Sequence, residues 1–473
     1  MTAMKLDEKK KAQLEELMKQ LPLNNEKRLM EIPGIYYGGG CSYMACRGLM
    51  MSPIDDVLLI THGPTGCGFF SGINSRGDIN EGGGEQFRGR CFSTDMRESD
   101  IIFGGEKKLM AAIREAVALF QPKAIAICAT CPVGLIGDDI EQIARTAEAQ
   151  YGIRVLPLSC EGFRKNGGWL HGGKMLVEHW MGENDRPHGR YPIHFMSESY
   201  TGVNRTIFKS LFERIGYDVV CSLMGSNSYE RIRAGHQAQL IVLDSNKAID
   251  EVPLTIQKRW GNGFFRASFT GVSNIVTSLR KMAAYFDSAE LTERTESVIA
   301  EELAAITPQW LGYRQRFNNI TAALFEDIFR SDSYSALSSD LGIEIVMISQ
   351  DYSKMELTDK NFTLHMSEKK RDELQRETAL PYVPVREGDG RVYYRLDRHQ
   401  IGEFLEVISP DICFAGVEEQ FCYSGAPMKS ELFTSDERGV QYGGFNGLIR
   451  YAQDLEMAFF MSHWATELPH WAV

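Results

Sequence analysis

Val57-Leu-Leu-Ile60, followed by His62-Gly-Pro-Thr-Gly-Cys67, decides how this chain folds. Four consecutive apolar residues without polar alternation predict a strand buried on both faces. A turn rich in glycine and proline then delivers a cysteine just past the strand's end. The pattern returns at Ala124-Ile-Ala-Ile-Cys128, which leads through Thr130 to Cys131-Pro132. Between them Lys108 to Phe120 predicts a helix, with Leu109, Ile113, Ala116, Val117 and Phe120 on one face. Asp138 is a natural N-cap for a further helix carrying Ile140, Ile143, Ala144 and Ala147, and Val155-Leu-Pro-Leu158 is the next strand. Strands alternating with helices imply α/β architecture, with parallel sheets flanked by helices.

The alternation continues outward. Strands are expected at Asp218–Leu223, Gln239–Leu243, Glu344–Ile348 and Asp411–Phe414. Helices are expected at Val203–Ile215, Val272–Phe286, Glu290–Phe325 (which Pro308 could break) and Arg398–Ile408. Glu387-Gly-Asp-Gly390 suggests a hairpin between Tyr382–Val385 and Arg391–Tyr394. Gly34 to Gly48 reads as a loop, and the first 21 residues as a helical arm. The 473 residues suggest about three domains. Charge- and turn-rich stretches divide them into an N-terminal arm (1–30), two α/β domains (31–190 and 191–335) and a third (336–473) ending in an aromatic interface tail.

Composition narrows the class. Lys and Arg total 51 against 63 Asp and Glu, a net charge of −12 that argues against a nucleic-acid binder. Apolar residues at 43% suffice for large cores, which excludes a disordered chain. No apolar run approaches the ~18 residues of a membrane span. The charged start, Met4-Lys-Leu-Asp-Glu8, lacks the apolar stretch of a secretory signal. The expectation is a cytoplasmic protein without membrane or nucleic-acid contacts.

Ten cysteines then need a reason in a reducing compartment, where structural disulfides are rare. Most should be buried thiols. Cys41, Cys67 and Cys131 stand apart, because each lies in a turn-rich segment beside glycine or proline. Ligands bind beyond the carboxyl ends of parallel strands, and small neighbours let a bulky inorganic cluster approach the backbone. Thiolates from such loops suit an iron–sulfur cluster. Three would make an incomplete half-site, which suggests further ligands from another subunit. Three unconnected loop cysteines is the competing reading. Cys128-Ala-Thr-Cys131 also fits a Cys-x-x-Cys pattern, but Cys128 closes an apolar strand and should be buried.

From about Ile32 onward the chain resembles the nitrogenase α-subunit family. The resemblance rests on Cys41-Ser-Tyr, Ser52-Pro-Ile-Asp-Asp, His62-Gly-Pro-Thr-Gly-Cys-Gly68, Ser93-Thr-Asp95, Asp100-Ile-Ile-Phe-Gly-Gly-Glu-Lys-Lys-Leu109, Cys131-Pro-Val-Gly-Leu-Ile-Gly-Asp-Asp-Ile140 and Cys160-Glu-Gly-Phe-Arg164. It implies three Rossmann-like domains of the nitrogenase component 1 type. It also implies that Cys41, Cys67 and Cys131 are the α-side metal ligands of an 8Fe–7S P-cluster shared with a homologous β subunit in an α2β2 heterotetramer. A homodimeric ATP-hydrolysing iron protein would supply electrons. The glycine runs at residues 38–40 and 82–84 lack the Gly-Lys-Ser/Thr ending of a phosphate loop, so ATP falls to that partner.

The second cofactor's pocket departs from the family. Its cysteine ligand follows an apolar strand, and here Ser245 ends Leu240-Ile-Val-Leu-Asp-Ser245. Its histidine precedes a Gly-Phe-x-Gly turn, and here Gly443 holds that place in Tyr442-Gly-Gly-Phe-Asn-Gly447. Glu418 replaces the lysine that would hold homocitrate, and a carboxylate would repel a polycarboxylate. The resemblance therefore implies a second cluster, 8Fe–9S–C without homocitrate, held by other groups. Cys91, Cys221, Cys413, Cys422 and His171 are candidates, and His171 is also the candidate proton donor. Intact P-cluster signatures with altered anchoring fit methylthio-alkane reductases, which cleave small methylated thioethers to methanethiol and hydrocarbon. A non-catalytic cofactor-assembly scaffold and a tetrapyrrole reductase subunit are the alternatives.

The remaining polar residues have structural readings. His62 positions the Cys67 loop, and helix capping explains Asp138-Asp139. His179, His188, His194 and His236 are structural histidines, and His463 and His470 belong to the interface tail.

Overall fold

All six residues of β1 (Val57–His62) and all six of β3 (Ala124–Ala129) are buried, as strands covered on both faces must be. With β2 (Phe92–Ser93) and β4 (Arg154–Ser159) they form a four-stranded parallel sheet of order β2-β1-β3-β4. The computed structural model describes residues 41–73, 87, 92–163, 168–197, 202–225, 227–244, 251–325, 331–350, 392–394, 398–415, 428–430 and 442–460, with isolated positions before residue 20. A second parallel sheet contains β5 (Pro192–Ser197), β6 (Asp218–Cys221), β7 (Leu240–Asp244) and β8 (Gly263–Arg266) in the order β6-β5-β7-β8. A third contains β9 (Thr321–Phe325), β10 (Glu344–Gln350), β11 (Val392–Tyr394), β12 (Ile412–Ala415) and β13 (Met428–Ser430) in the order β11-β10-β9-β12-β13. In each sheet the strand order reverses beside the first strand. Such a switch point opens a crevice at the strands' carboxyl ends.

Alternate side chains send the sheets' faces into different cores. Leu58 and Ile60 join one apolar layer with Ile113 and Ile143. Val57 and Leu59 join another, which continues through Met50, Leu176 and Trp180 to Ile241 and Leu243 of the second sheet. Val242 and Phe195 face the opposite way, into a core shared with Leu324, Phe414 and Leu455 of the third. Phe195 packs edge-on against Phe212 and Phe269 at 5.0 and 5.4 Å between ring centres. Each such ring contributes about 2–3 kcal/mol by burial. The third domain also caps a helix of the second. Asp340 accepts the Val272 N–H at 2.6 Å, at the start of Val272–Tyr285. The preceding Gly271 cannot carry a capping side chain, since a Cβ there would lie 2.8 Å from Ala336 Cβ.

Several expectations need correction. The 335 boundary falls inside the helix Ser331–Leu341, and β9 already pairs in the third sheet. The helix expected to reach Phe325 ends at Phe317 and runs unbroken through Pro308. Asn319 then takes φ 72°, a left-handed turn that asparagine tolerates, and Thr321 begins the strand. The apolar run Ala322–Leu324 suits a helix or a buried strand equally, so periodicity could not separate them. Val392–Tyr394 pairs parallel with β10, while its expected hairpin partner lies outside the described residues. So do most of the N-terminal arm and the tail beyond residue 460. Met44–Met51, expected as loop through Gly48, is a π-helix (α1). Asp139 rather than Asp138 caps α6 (Ile140–Tyr151), accepting the Gln142 N–H at 2.8 Å.

Candidate metal centre

The first sheet's switch point lies between β1 and β3, and two of the three singled-out cysteines flank it. From β1 the chain passes Gly63 and Pro64 into α2 (Thr65–Ile73), which carries Cys67 in its first turn. From β3 it passes Thr130 into α5 (Cys131–Ile136), whose first residue is Cys131. The two turns are laced together. Thr130 donates through its N–H and its hydroxyl to the His62 carbonyl, at 3.1 and 3.0 Å. Gly63 must be glycine, because a Cβ would fall 2.0 Å from Thr130 Oγ1. Cys41 arrives from a third direction, where Ala45 N donates to its carbonyl at 3.1 Å and Ser42 N donates to the Gly162 carbonyl at 3.3 Å.

Gly162 is the cradle. Its N–H donates to Cys131 Sγ at 3.2 Å. A Cβ on Gly162 would sit 2.9 Å from Cys41 Sγ and 3.1 Å from Cys131 Sγ. The backbone therefore comes as close to two sulfurs as a residue without a side chain allows. The sequence motif Cys160-Glu-Gly-Phe contained this glycine, but nothing local in it pointed at the sulfurs.

Electrostatics tie in the third sulfur. The Cys67 thiol is pushed up by burial first, and then by Cys41 and Cys131, whose negative charge as thiolates would oppose its own. A thiol whose ionisation is opposed by two neighbouring sulfurs calls for a shared cation to discharge it. Among the described residues no three His, Cys, Asp or Glu side chains close around a single metal ion. A multi-iron cluster spans a gap that one ion cannot, and the donor set of three sulfurs and one backbone amide fits it. Cys41 is exposed and the other two are half-buried, so the site opens at the surface of this chain. Phe69, Phe70 and Leu135 on the same helices, Phe163 beside Gly162, and Ile102 and Phe103 on the adjoining helix Glu98–Phe103 are all exposed. So much apolar surface marks a protein contact.

The surrounding residues lock the Cys67 turn. His62 is fully buried, with Nδ1 at 3.1 Å from Thr94 Oγ1 and Nε2 at 3.0 Å from Asp138 Oδ2. Burial, the largest influence, holds its imidazole below the usual histidine range against the pull of Asp138. Thr65 Oγ1 donates to Asp95 at 2.9 Å, and Met96 N to the Gly63 carbonyl at 3.0 Å. The Ser93-Thr-Asp95 segment thus clasps the turn, which distant sequence positions gave no way to see. Cys46, Cys128 and Cys160 lie behind the site as buried thiols, and burial drives Cys128 and Cys160 well above the ordinary thiol range. Cys128 is therefore the inert member of Cys128-x-x-Cys131. Cys131 does open a helix, contrary to the expected loop.

The second-pocket candidates are scattered. His171 is half-buried on α7 (Gly168–His179). Cys221 is wholly buried, pushed up to about 12 by burial, and its sulfur accepts from Asn227 Nδ2 at 3.4 Å. Cys413 is a wholly buried residue of β12, likewise pushed up to about 12. Neither resembles an available thiolate. Gly443 is buried and bridges Thr270 in antiparallel fashion, which seams the third domain to the second. Ser245, Glu418, Cys91 and Cys422 lie outside the described residues.

Three wound parallel sheets, the first carrying a surface trio of thiols beyond its strand ends, fit an oxidoreductase subunit of the nitrogenase type. The chain belongs to the nitrogenase component 1 type oxidoreductase family, whose profile matches residues 41–459. It is 33% identical to the nitrogenase molybdenum-iron protein alpha chain of Methanosarcina barkeri, over 93% of this chain and 89% of that one. It is 30% identical to the nitrogenase iron-molybdenum cofactor biosynthesis protein NifE of Nostoc sp. (strain PCC 7120), over 90% of this chain and 84% of that one. The solved structure described as nitrogenase Cp1 at pH 6.5 superposes with a TM-score of 0.79 at 30% identity, covering 93% of this chain and 92% of that one. Among the described residues no helix is long and apolar enough to cross a membrane.

Proposed function

We propose that this chain is the α-type subunit of a nitrogenase-like reductase. Cys41, Cys67 and Cys131 hold one half of a P-cluster, and a homologous β subunit supplies the rest in an α2β2 assembly. The observation that carries this reading is the open trio of sulfurs around Gly162, surrounded by exposed phenylalanines and leucine. A half-site on the surface is complete only when a partner covers it. The P-cluster supplies single-electron transfer when bound. This chain's residues position its sulfurs, exclude water behind them and offer the Gly162 N–H to the Cys131 sulfur. An ATP-dependent iron protein delivers the electrons. When bound, a second buried iron–sulfur cofactor would pass on two of those electrons for reductive cleavage of a small methyl thioether, which with two protons gives methanethiol and hydrocarbon, and His171 would donate a proton.

The second reading is a cofactor-assembly scaffold. The glycine at 443 and the serine at 245 favour it, as does the likeness to NifE. Anaerobic turnover of the purified complex with iron protein, ATP and a methyl thioether separates the two. The reductase releases hydrocarbon in an ATP-dependent way. A scaffold releases none, and that result would sink the catalytic reading.

A further inference from the structure

We propose that Tyr43 is a positioning residue for the P-cluster, its hydroxyl fixing the Cys41 segment against the helix that carries Cys67. The inference rests on the P-cluster reading above and deepens it.

Gly162 relates Cys41 to Cys131, and Tyr43 relates Cys41 to Cys67. Tyr43 lies two residues after Cys41. Its side chain is buried in the apolar layer behind the sulfurs, which also holds Val57 and Leu59 and against which Cys67 packs. Strand alternation turns Thr61 to the same face as Val57 and Leu59. Ser71 stands one turn along α2 from Cys67. The three hydroxyls meet there. Tyr43 Oη is 2.7 Å from Thr61 Oγ1 and 3.3 Å from Ser71 Oγ, and both partners are fully buried.

Each hydroxyl has one proton to give, and that count orders the chain. Ser71 shares its proton between the carbonyls of Cys67 and Gly68, at 3.0 and 3.1 Å. The Ser71 oxygen therefore accepts from Tyr43, and the Tyr43 oxygen accepts from Thr61. The relay runs from β1 through the Tyr43 hydroxyl to the backbone of the Cys67 turn. Hydroxyls buried in an apolar layer are costly unless paired, so these three hold one another in place. Hydrogen bonds behind a metal ligand set its orientation and tune the metal it holds, and the potential of an iron–sulfur cluster responds to them. Phenylalanine at position 43 would keep the ring's packing and remove only the link between Thr61 and Ser71.

The test uses the complete αβ complex purified anaerobically, with iron counting and a redox titration of the P-cluster followed by EPR. Tyr43→Phe should keep assembly and iron while the midpoint potential shifts and the line shape changes. Ser71→Ala should shift the potential in the same direction. The double variant should go no further than the larger single shift, since both substitutions break one chain. Full iron with wild-type potential and line shape in Tyr43→Phe overturns the proposal and leaves the P-cluster reading standing. A double variant whose shift is the sum of the two singles also overturns it. If Tyr43→Phe does not assemble or loses its iron, Ser71→Ala must alter the potential or the line shape, and an unchanged pair overturns the proposal. Wild-type complex without P-cluster iron overturns both.

Discussion

His62 Nε2 stands 3.0 Å from Asp138 Oδ2, and the same carboxylate accepts the Gly105 N–H at 3.1 Å. One buried side chain thereby joins the end of β1, the start of the helix Glu106–Phe120 and the approach to α6. Asp138→Ala strands two buried donors at once, each costing about 1–3 kcal/mol. The expected outcome is a loss of a few kcal/mol in chemical denaturation, together with reduced iron at the Cys67 site. Wild-type stability in this variant would mean the linkage is incidental.

Gly162→Ala adds one methyl group at 2.9 and 3.1 Å from two sulfurs. Gly162 is partly exposed, so the chain should fold with nearly unchanged far-UV circular dichroism. Iron content and the P-cluster EPR signal should both fall sharply. Retention of full iron would place the cluster away from this cradle.

The cysteines should divide into two groups. Alanine at Cys41, Cys67 or Cys131 should remove iron and weaken association with the partner subunit, measured by metal analysis and size-exclusion chromatography. Alanine at Cys221 or Cys413 should keep the iron and cost only about 1 kcal/mol of stability, as a small cavity does. Iron loss from the second group would overturn their reading as core thiols.

His194 is wholly buried, with neither ring nitrogen hydrogen-bonded among the described residues. Burial pushes it from 6.5 down to about 3. In the unfolded chain it takes up a proton near 6.5, and in the folded chain only near 3. Stability therefore falls as pH drops through that window, by up to about 1.4 kcal/mol per unit. His62, also held low, adds with the same sign. His194→Leu should flatten the acid limb of stability against pH. An unchanged limb would show that this histidine does not carry it.

The α/β alternation, the doubly covered strands and the three special cysteines were legible in the sequence. Buried parallel strands announce themselves as unbroken apolar runs, and cysteines beside glycine and proline fall where such strands end. The second domain boundary was not legible, because Thr321–Phe325 satisfies a helix pattern as well as a strand pattern. Cys221 and Cys413 looked like pocket thiols for a similar reason: a strand's carboxyl end is known from sequence, but the depth of packing around it is not.

The order of elements and the kinds of donor on each loop follow from local residue choice and could be read from the chain alone. Packing alone sets Gly162 against two sulfurs, turns Asp138 to His62 instead of a helix, and brings Asp244 to Ser197 across a switch point. Those pairings join residues 31 or more positions apart, and their geometry comes from how sheets and helices pack, which no local pattern encodes.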